Sequence, residues 1–289
     1  MSVLALALVL VAAVTHAGWN LLSKKVSHVS GPAWVWLVAA SAAVIFAPLA
    51  VVAAVLTHQR FGWPVLGFMA GTAALHSAYA LLLQRGYRVG DLSLVYPLAR
   101  GTGPLVSSLV AIWLFAERPG PLGIAAIVLV AVGIFILSLP SRGSARGGSR
   151  RAAVAYGLAT GLTIAAYTLW DKHAVALLAI NPLLYDWSSN AGRALILAPL
   201  ALRRRTEIAD VWRRYRWHVL GTAVLMSLAY ILVLWALSFS PVSSIAPTRE
   251  ISVLLGVLLG GHLLSEGNLP RRLLGATAVA AGVATIALG

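Results

Sequence analysis

The chain has no cysteine and very little charge. Of its 289 residues only 8 are Asp or Glu, and all charged residues together make up 10%. Without cysteine there is no disulfide, no thiolate nucleophile and no cysteine-bound metal. A soluble domain carries roughly a quarter charged residues and about half apolar ones. Here the apolar share is 60%, which leaves too little polar surface to cover a core in water. No G-x-x-x-x-G-K-[ST] loop is present, so this chain cannot drive transport with ATP on its own. Its histidines lack the cysteines or matched carboxylates that a metal site needs. Neither a metal nor a cofactor is expected.

What is present is a series of apolar blocks, each near the twenty residues that carry a helix across roughly 30 Å of hydrocarbon. They fall at 2–23, 32–56, 63–84, 93–115, 121–139, 152–171, 182–202, 217–237, 243–264 and 272–288. None alternates apolar with polar residues as a barrel strand does. Small residues from Ala13 to Ala17 suggest a cleavable signal peptide. However, no positive charge precedes the first block, and Lys24 and Lys25 follow it. It is therefore read as a retained first span.

The 22 Lys and Arg residues, for a net charge of +14, sort by face. The face reached at the end of the first span holds Lys24, Lys25, Arg85, Arg88, Arg142, Arg146, Arg150, Arg151, Arg203 to Arg205, Arg213, Arg214, Arg216, Arg271 and Arg272. The other face has Arg60, Arg118 and Lys172, and Arg100, Arg193 and Arg249 fall inside spans. This bias predicts that the basic face is cytoplasmic and that both termini lie on the non-cytoplasmic side of the inner (plasma) membrane. The charge then faces anionic lipid rather than nucleic acid.

A Gly/Ser/Arg-rich linker at 140–151 divides the chain into 1–139 and 152–289, each with five spans. The halves match at a shift of about 149. Lys24 falls opposite Lys172, Tyr79 opposite Tyr230, Pro97 opposite Pro247, Arg100 opposite Arg249 and Glu117 opposite Glu266. Five is odd, so the halves enter the membrane from opposite sides, an arrangement of secondary transporters with a site between the halves. The expected fold is an all-α polytopic membrane protein, ten transmembrane helices in two inverted five-helix repeats.

The run His16-Ala-Gly-Trp-Asn-Leu-Leu-Ser-Lys24 resembles the opening signature of EamA-type transporters in the drug/metabolite transporter superfamily. Tyr96-Pro97 with Arg100, and Ala116-Glu117-Arg118, resemble that family too. So do Ser240-Pro-Val-Ser-Ser-Ile-Ala-Pro247 with Arg249-Glu250, and Leu264-Ser-Glu266. The resemblance covers essentially the whole chain. It implies a ten-helix carrier of small metabolites, in a family that includes an aromatic amino-acid exporter (YddG-like) subgroup.

Intramembrane polar residues are functional candidates by default. Arg100 and Arg249 occupy equivalent positions, and each could bind a substrate carboxylate, form an ionic gate or serve as a structural ion pair. Glu250 could pair with Arg100 or Arg193, or carry a proton. Gly101-Thr-Gly-Pro104, with Gly101, Gly103 and Pro104, predicts a helix break near the midplane. His16 and Trp19, with Asn20 beside them, His76 and Tyr79, and Tyr96 and Arg100 form one expected cluster near the basic face. Tyr167, Trp170, Tyr230 and Arg249 form a second, near the other face. The two are expected to act as inner and outer gates. On span seven, Asp186, Ser189, Asn190 and Arg193 share one stripe.

Trp34, Trp36, Trp63, Trp212 and Trp217 sit at span ends and read as interfacial anchors. Gly67-x-x-x-Gly71 and Gly256-x-x-x-Gly260 read as helix-packing pairs, and Glu117 and Glu266 as caps or surface pairs. The expected function is export of amino acids, aromatic or otherwise amphipathic, by alternating access. Alternatives are export of cationic drugs or other metabolites, and an intramembrane lipid-modifying enzyme. The expected partners are a small-molecule substrate and membrane lipid, with no nucleic acid, for a monomer or homodimer.

Overall fold

A computed structural model describes residues 1–26, 31–89, 92–137, 150–252, 254–255 and 269–288. Among these the elements are α1 (Val3–Lys25), α2 (Gly31–Leu56), α3 (Trp63–Val89), α4 (Leu92–Leu114) and α5 (Gly120–Leu137). The second half supplies α6 (Arg150–Lys172) with a π-helical turn at His173–Leu177, then α7 (Pro182–Leu202), α8 (Arg205–Phe239), α9 (Val242–Thr248) and α10 (Leu269–Leu288). Helices are the physical solution for such a sequence, because hydrocarbon offers backbone N–H and C=O groups no partner outside their own segment. Six are long and apolar enough to cross a membrane: α1, α2, α3, α5, α6 with its π turn, and α8. The molecule is a polytopic membrane protein. Its large apolar side chains point outward, Trp113, Leu195 and Val44 among them, while Arg100, Asp171, Asp186, Arg193 and Glu250 are buried.

The helices pair across the chain's midpoint. The closest-packed partners are α5 with α10, α4 with α6, α1 with α8, α2 with α7 and α3 with α6. Advancing each helix by five positions turns α1·α8 into α6·α3 and α2·α8 into α7·α3, and both of these contacts are present.

Two boundaries differ clearly from those expected. Span eight starts at Arg205 rather than 217 and bends at Tyr215 (φ −129°, ψ 17°). Its arginine-rich opening is helical because Ile208 and Val211 pack on Ala33, Leu37 and Trp34 of α2. Span six continues past residue 171 through the π turn to Leu177.

The predicted break at Gly101, Gly103 and Pro104 is not there: α4 is helical throughout. Those glycines serve close packing instead. A Cβ on Gly103 would lie 2.6 Å from Ile164, and one on Gly161 would lie 2.8 Å from Thr102. The irregular backbone lies in the second half. There α9 ends at Thr248, and Arg249–Glu250 form a turn held by Glu250 N to Pro247 O (3.0 Å) and Ser252 N to Arg249 O (3.2 Å). Pro247 inside α9 removes a backbone donor just before that turn. The remainder of span nine, with Gly256, Gly260 and Glu266, lies outside the described residues.

The two ends of the bundle are packed differently. At the end away from the basic face, the first turns of α1, α3, α7 and α9 meet the last turns of α2, α4, the π turn and α8. Their contact is one apolar cluster that includes Val9, Met69, Ala111, Val175, Tyr185, Leu234 and Ile245.

Candidate functional site

The packing leaves a central cavity of about 310 Å³ between the halves, within the roughly 300–1,000 Å³ usual for small-molecule sites. His16, Trp19, His76, Tyr79, Arg100, Tyr167, Arg193, Tyr230 and Arg249 line it. Trp34, Gln84, Asp186, Asn190, Thr222 and Ser252 line it as well. It reaches Ser23, Trp34 and Gln84, which lie near the basic-face ends of α1, α2 and α3.

The two expected aromatic clusters are one. His76 stacks on Tyr167 with ring centroids 4.3 Å apart, and Tyr79 meets Tyr167 edge-on at 5.8 Å. His76 Nε2 lies 2.9 Å from the Tyr230 hydroxyl. The interleaved helices bring members of both sets to the same cavity wall.

Asp171, buried beside that wall, organises it. Its Oδ1 accepts from Thr72 Oγ1 at 2.9 Å and Tyr185 Oη at 3.0 Å. Its Oδ2 accepts from the Tyr230 hydroxyl, with His76 Nε2 at 3.6 Å. Since Tyr230 gives its proton to Asp171, it accepts from His76, which places a hydrogen on Nε2. Three side chains, Thr72 of α3, Tyr185 of α7 and Tyr230 of α8, thus donate to one acid at the end of α6, with His76 behind Tyr230. Asp171, Thr72 and Tyr185 were missed in sequence because hydropathy ends span six at residue 171. An acid beyond a span's end carries no intramembrane signal.

The three intramembrane arginines divide in role. Arg100 Nε lies 3.1 Å from Glu250 Oε2, and its Nη2 donates to Ser252 Oγ at 3.2 Å. It therefore ties α4 to the turn after α9. Arg193 and Arg249 have no hydrogen-bond or ion-pair partner for their side chains among the described residues, and both face the cavity. Arg suits this position because its fork can take a carboxylate in two parallel hydrogen bonds.

The other expected residues fall elsewhere. Asn20 donates to the His16 carbonyl, one turn back, at 2.8 Å. Trp170 stacks on Phe68 at 4.2 Å and donates to its carbonyl at 3.0 Å, wedging α6 on α3. Ser189 is buried but lies off the cavity lining. The Tyr96 side chain lies outside the described residues. Trp34 lines the cavity and Trp36 donates to Ala194 O of α7 at 3.0 Å, so neither is a simple interfacial anchor.

The far end of the bundle is pinned by ionic caps. Glu117 accepts from Val242 N at 2.7 Å and Ser243 N at 2.8 Å, capping α9. Ala116 before it adopts a left-handed φ of 51°, which turns the chain there. Lys172 donates to the Leu237 and Ser240 carbonyls at 2.8 and 3.0 Å, capping the end of α8.

A multi-helix membrane protein that encloses a cavity lined by aromatic and charged side chains has the architecture of a membrane transporter. The sequence comparison agrees: residues 151–288 match the EamA-like transporter family. Over this half the chain is similar to that family of membrane transporters of the drug/metabolite type. Among solved structures 29 chains match. One, a crystal structure of a protein, is 14% identical with a TM-score of 0.79, over 98% of this chain and 96% of the other. At that identity the likeness concerns the fold. No curated protein matches the chain.

Proposed function

We propose that the protein is a secondary carrier that moves amino acids with aromatic or amphipathic side chains out of the cell by alternating access. The observation that carries this reading is the pair of cavity-facing arginines, Arg193 and Arg249, neither of which closes an ion pair within 4.0 Å among the described residues. Arg193 is buried; a buried guanidinium without a closed ion pair is costly, and a substrate carboxylate offsets that cost. The aromatic wall of His76, Tyr79, Tyr167 and Tyr230 suits an apolar side chain.

With the basic face in the cytoplasm, the cavity extends toward the cell interior, while the apolar cluster and the Glu117 and Lys172 caps close the outer end. Exporters load from this state. The two five-helix halves would exchange it for an outward state by rearranging about the Arg100–Glu250 tie. Both termini would then lie outside the inner membrane. Export of bare cations is a weaker second reading, favoured by Asp186 at the wall. Two unpaired arginines in the same cavity oppose it.

The test is counterflow into proteoliposomes across a panel of amino acids, with the pH gradient varied. Saturable uptake of aromatic amino acids is expected. Uptake of none of the panel by protein that is folded and correctly inserted would overturn the cargo.

A further inference from the structure

Asp186 and Asn190, one turn apart on α7, are both buried and both line the cavity. Asn190 Nδ2 donates to Asp186 Oδ1 at 3.1 Å and lies 3.2 Å from Ser227 Oγ. That leaves Asp186 Oδ2 and Asn190 Oδ1 without a hydrogen-bond partner among the described residues. Both open atoms are acceptors, on residues only 2% exposed. Buried acceptors of this kind are normally satisfied.

Arg193 lies two turns further along the same face. Helical side chains lean toward the helix N-terminus, so its guanidinium reaches back toward Asp186. The two do not close into an ion pair within 4.0 Å, and both line the cavity. Opposite charges that share a cavity wall without pairing leave room for a group carrying the complementary charges in reverse order.

We propose that Asp186 Oδ2 and Asn190 Oδ1 form a subsite for a primary ammonium group, and that Arg193 takes the carboxylate of the same zwitterion. This rests on the amino-acid reading and sharpens it. It assigns recognition of the amino group to α7, at residues that the family resemblance does not mark. An ammonium brings three donors, enough for both open acceptors. The subsite therefore selects free α-amino acids over N-acylated or deaminated analogues.

The test measures binding of three probes to the full-length protein in lipid nanodiscs: L-phenylalanine, 3-phenylpropionate (no ammonium) and 2-phenylethylamine (no carboxylate). Wild type should prefer L-phenylalanine to 3-phenylpropionate by about 10- to 100-fold, the size of a charge-assisted hydrogen bond. In Asp186→Asn that preference should fall below roughly threefold, with 3-phenylpropionate binding no weaker than in wild type. Asn190→Leu should reduce it in the same direction and serves if Asp186→Asn does not fold. An undiminished preference in the folded variants overturns the subsite while leaving amino-acid transport standing. Conversely, wild-type binding of 2-phenylethylamine but not L-phenylalanine, lost in Asp186→Asn, upholds the ammonium subsite and overturns the amino-acid reading. Binding of none of the three by wild type overturns both.

Discussion

The Arg100–Glu250 pair gives the sharpest stability prediction. It joins α4 of the first half to the turn after α9 in the second, with Nε and Oε2 3.1 Å apart and side chains only 8% and 3% exposed. Removing one member leaves the other charged and buried, which costs roughly 3–5 kcal/mol. Arg100 lines the cavity, where water can enter, so the lower figure applies, about 3 kcal/mol. At roughly 2–4 °C per kcal/mol, Glu250→Leu and Arg100→Met should each lower the melting temperature by about 6–12 °C. Replacing both removes both charges together, and apolar replacements of such pairs are often neutral. The double variant should therefore melt within about 3 °C of wild type, a coupling of about 5 kcal/mol. Intrinsic tryptophan fluorescence at one scan rate reads all four proteins, since the chain has 10 tryptophans. If the double variant falls by the sum of the two single losses, the pair does not couple the halves and the reasoning fails.

Arg249→Gln should melt at or above the wild-type temperature, because no partner is lost, while substrate flux falls at least tenfold; matched melting and flux assays check both. Glu117→Ala removes two charge-assisted cap bonds on α9 and should cost about 1–3 kcal/mol, measured by thermal unfolding. Ala116→Gly relieves a left-handed backbone and should stabilise by about 1 kcal/mol. On α3, Gly71→Ala should be strongly destabilising, because the new Cβ would collide with the Trp170 ring. Gly67→Ala meets nothing within 4 Å and should be neutral; expression level and melting compare the two.

The helical membrane fold was legible because each span must satisfy its own backbone, which forces long apolar runs that a sequence displays directly. The stripe of Asp186, Ser189, Asn190 and Arg193 was legible for a related reason, since four polar residues on one face of a span have to point inward. Side-chain partners were not. Nothing in the order of residues separates Arg100, tied to Glu250, from its equivalent Arg249, which has no partner among the described residues, because pairing depends on where α9 ends.

The glycines of span four misled for a physical reason. Gly and Pro lower helix propensity, but close packing of α4 on α6 holds the helix straight and uses the missing Cβ atoms as contact surface. The expected separation into two clusters treated the halves as separate bodies. The helices interleave, so residues from opposite halves, such as His76 and Tyr230, become hydrogen-bonded neighbours. Asp171 escaped notice because charged residues at a span's end resemble a boundary, and only the π turn beyond them shows that the helix continues.

The central claim is that the cavity between the halves receives a carboxylate on Arg193 and Arg249. Its most direct test is counterflow of radiolabelled L-phenylalanine into proteoliposomes carrying wild type, Arg193→Gln or Arg249→Gln. The account predicts saturable accumulation by wild type and its loss in both variants, each of them folded and inserted. Wild-type accumulation by both arginine variants would contradict it.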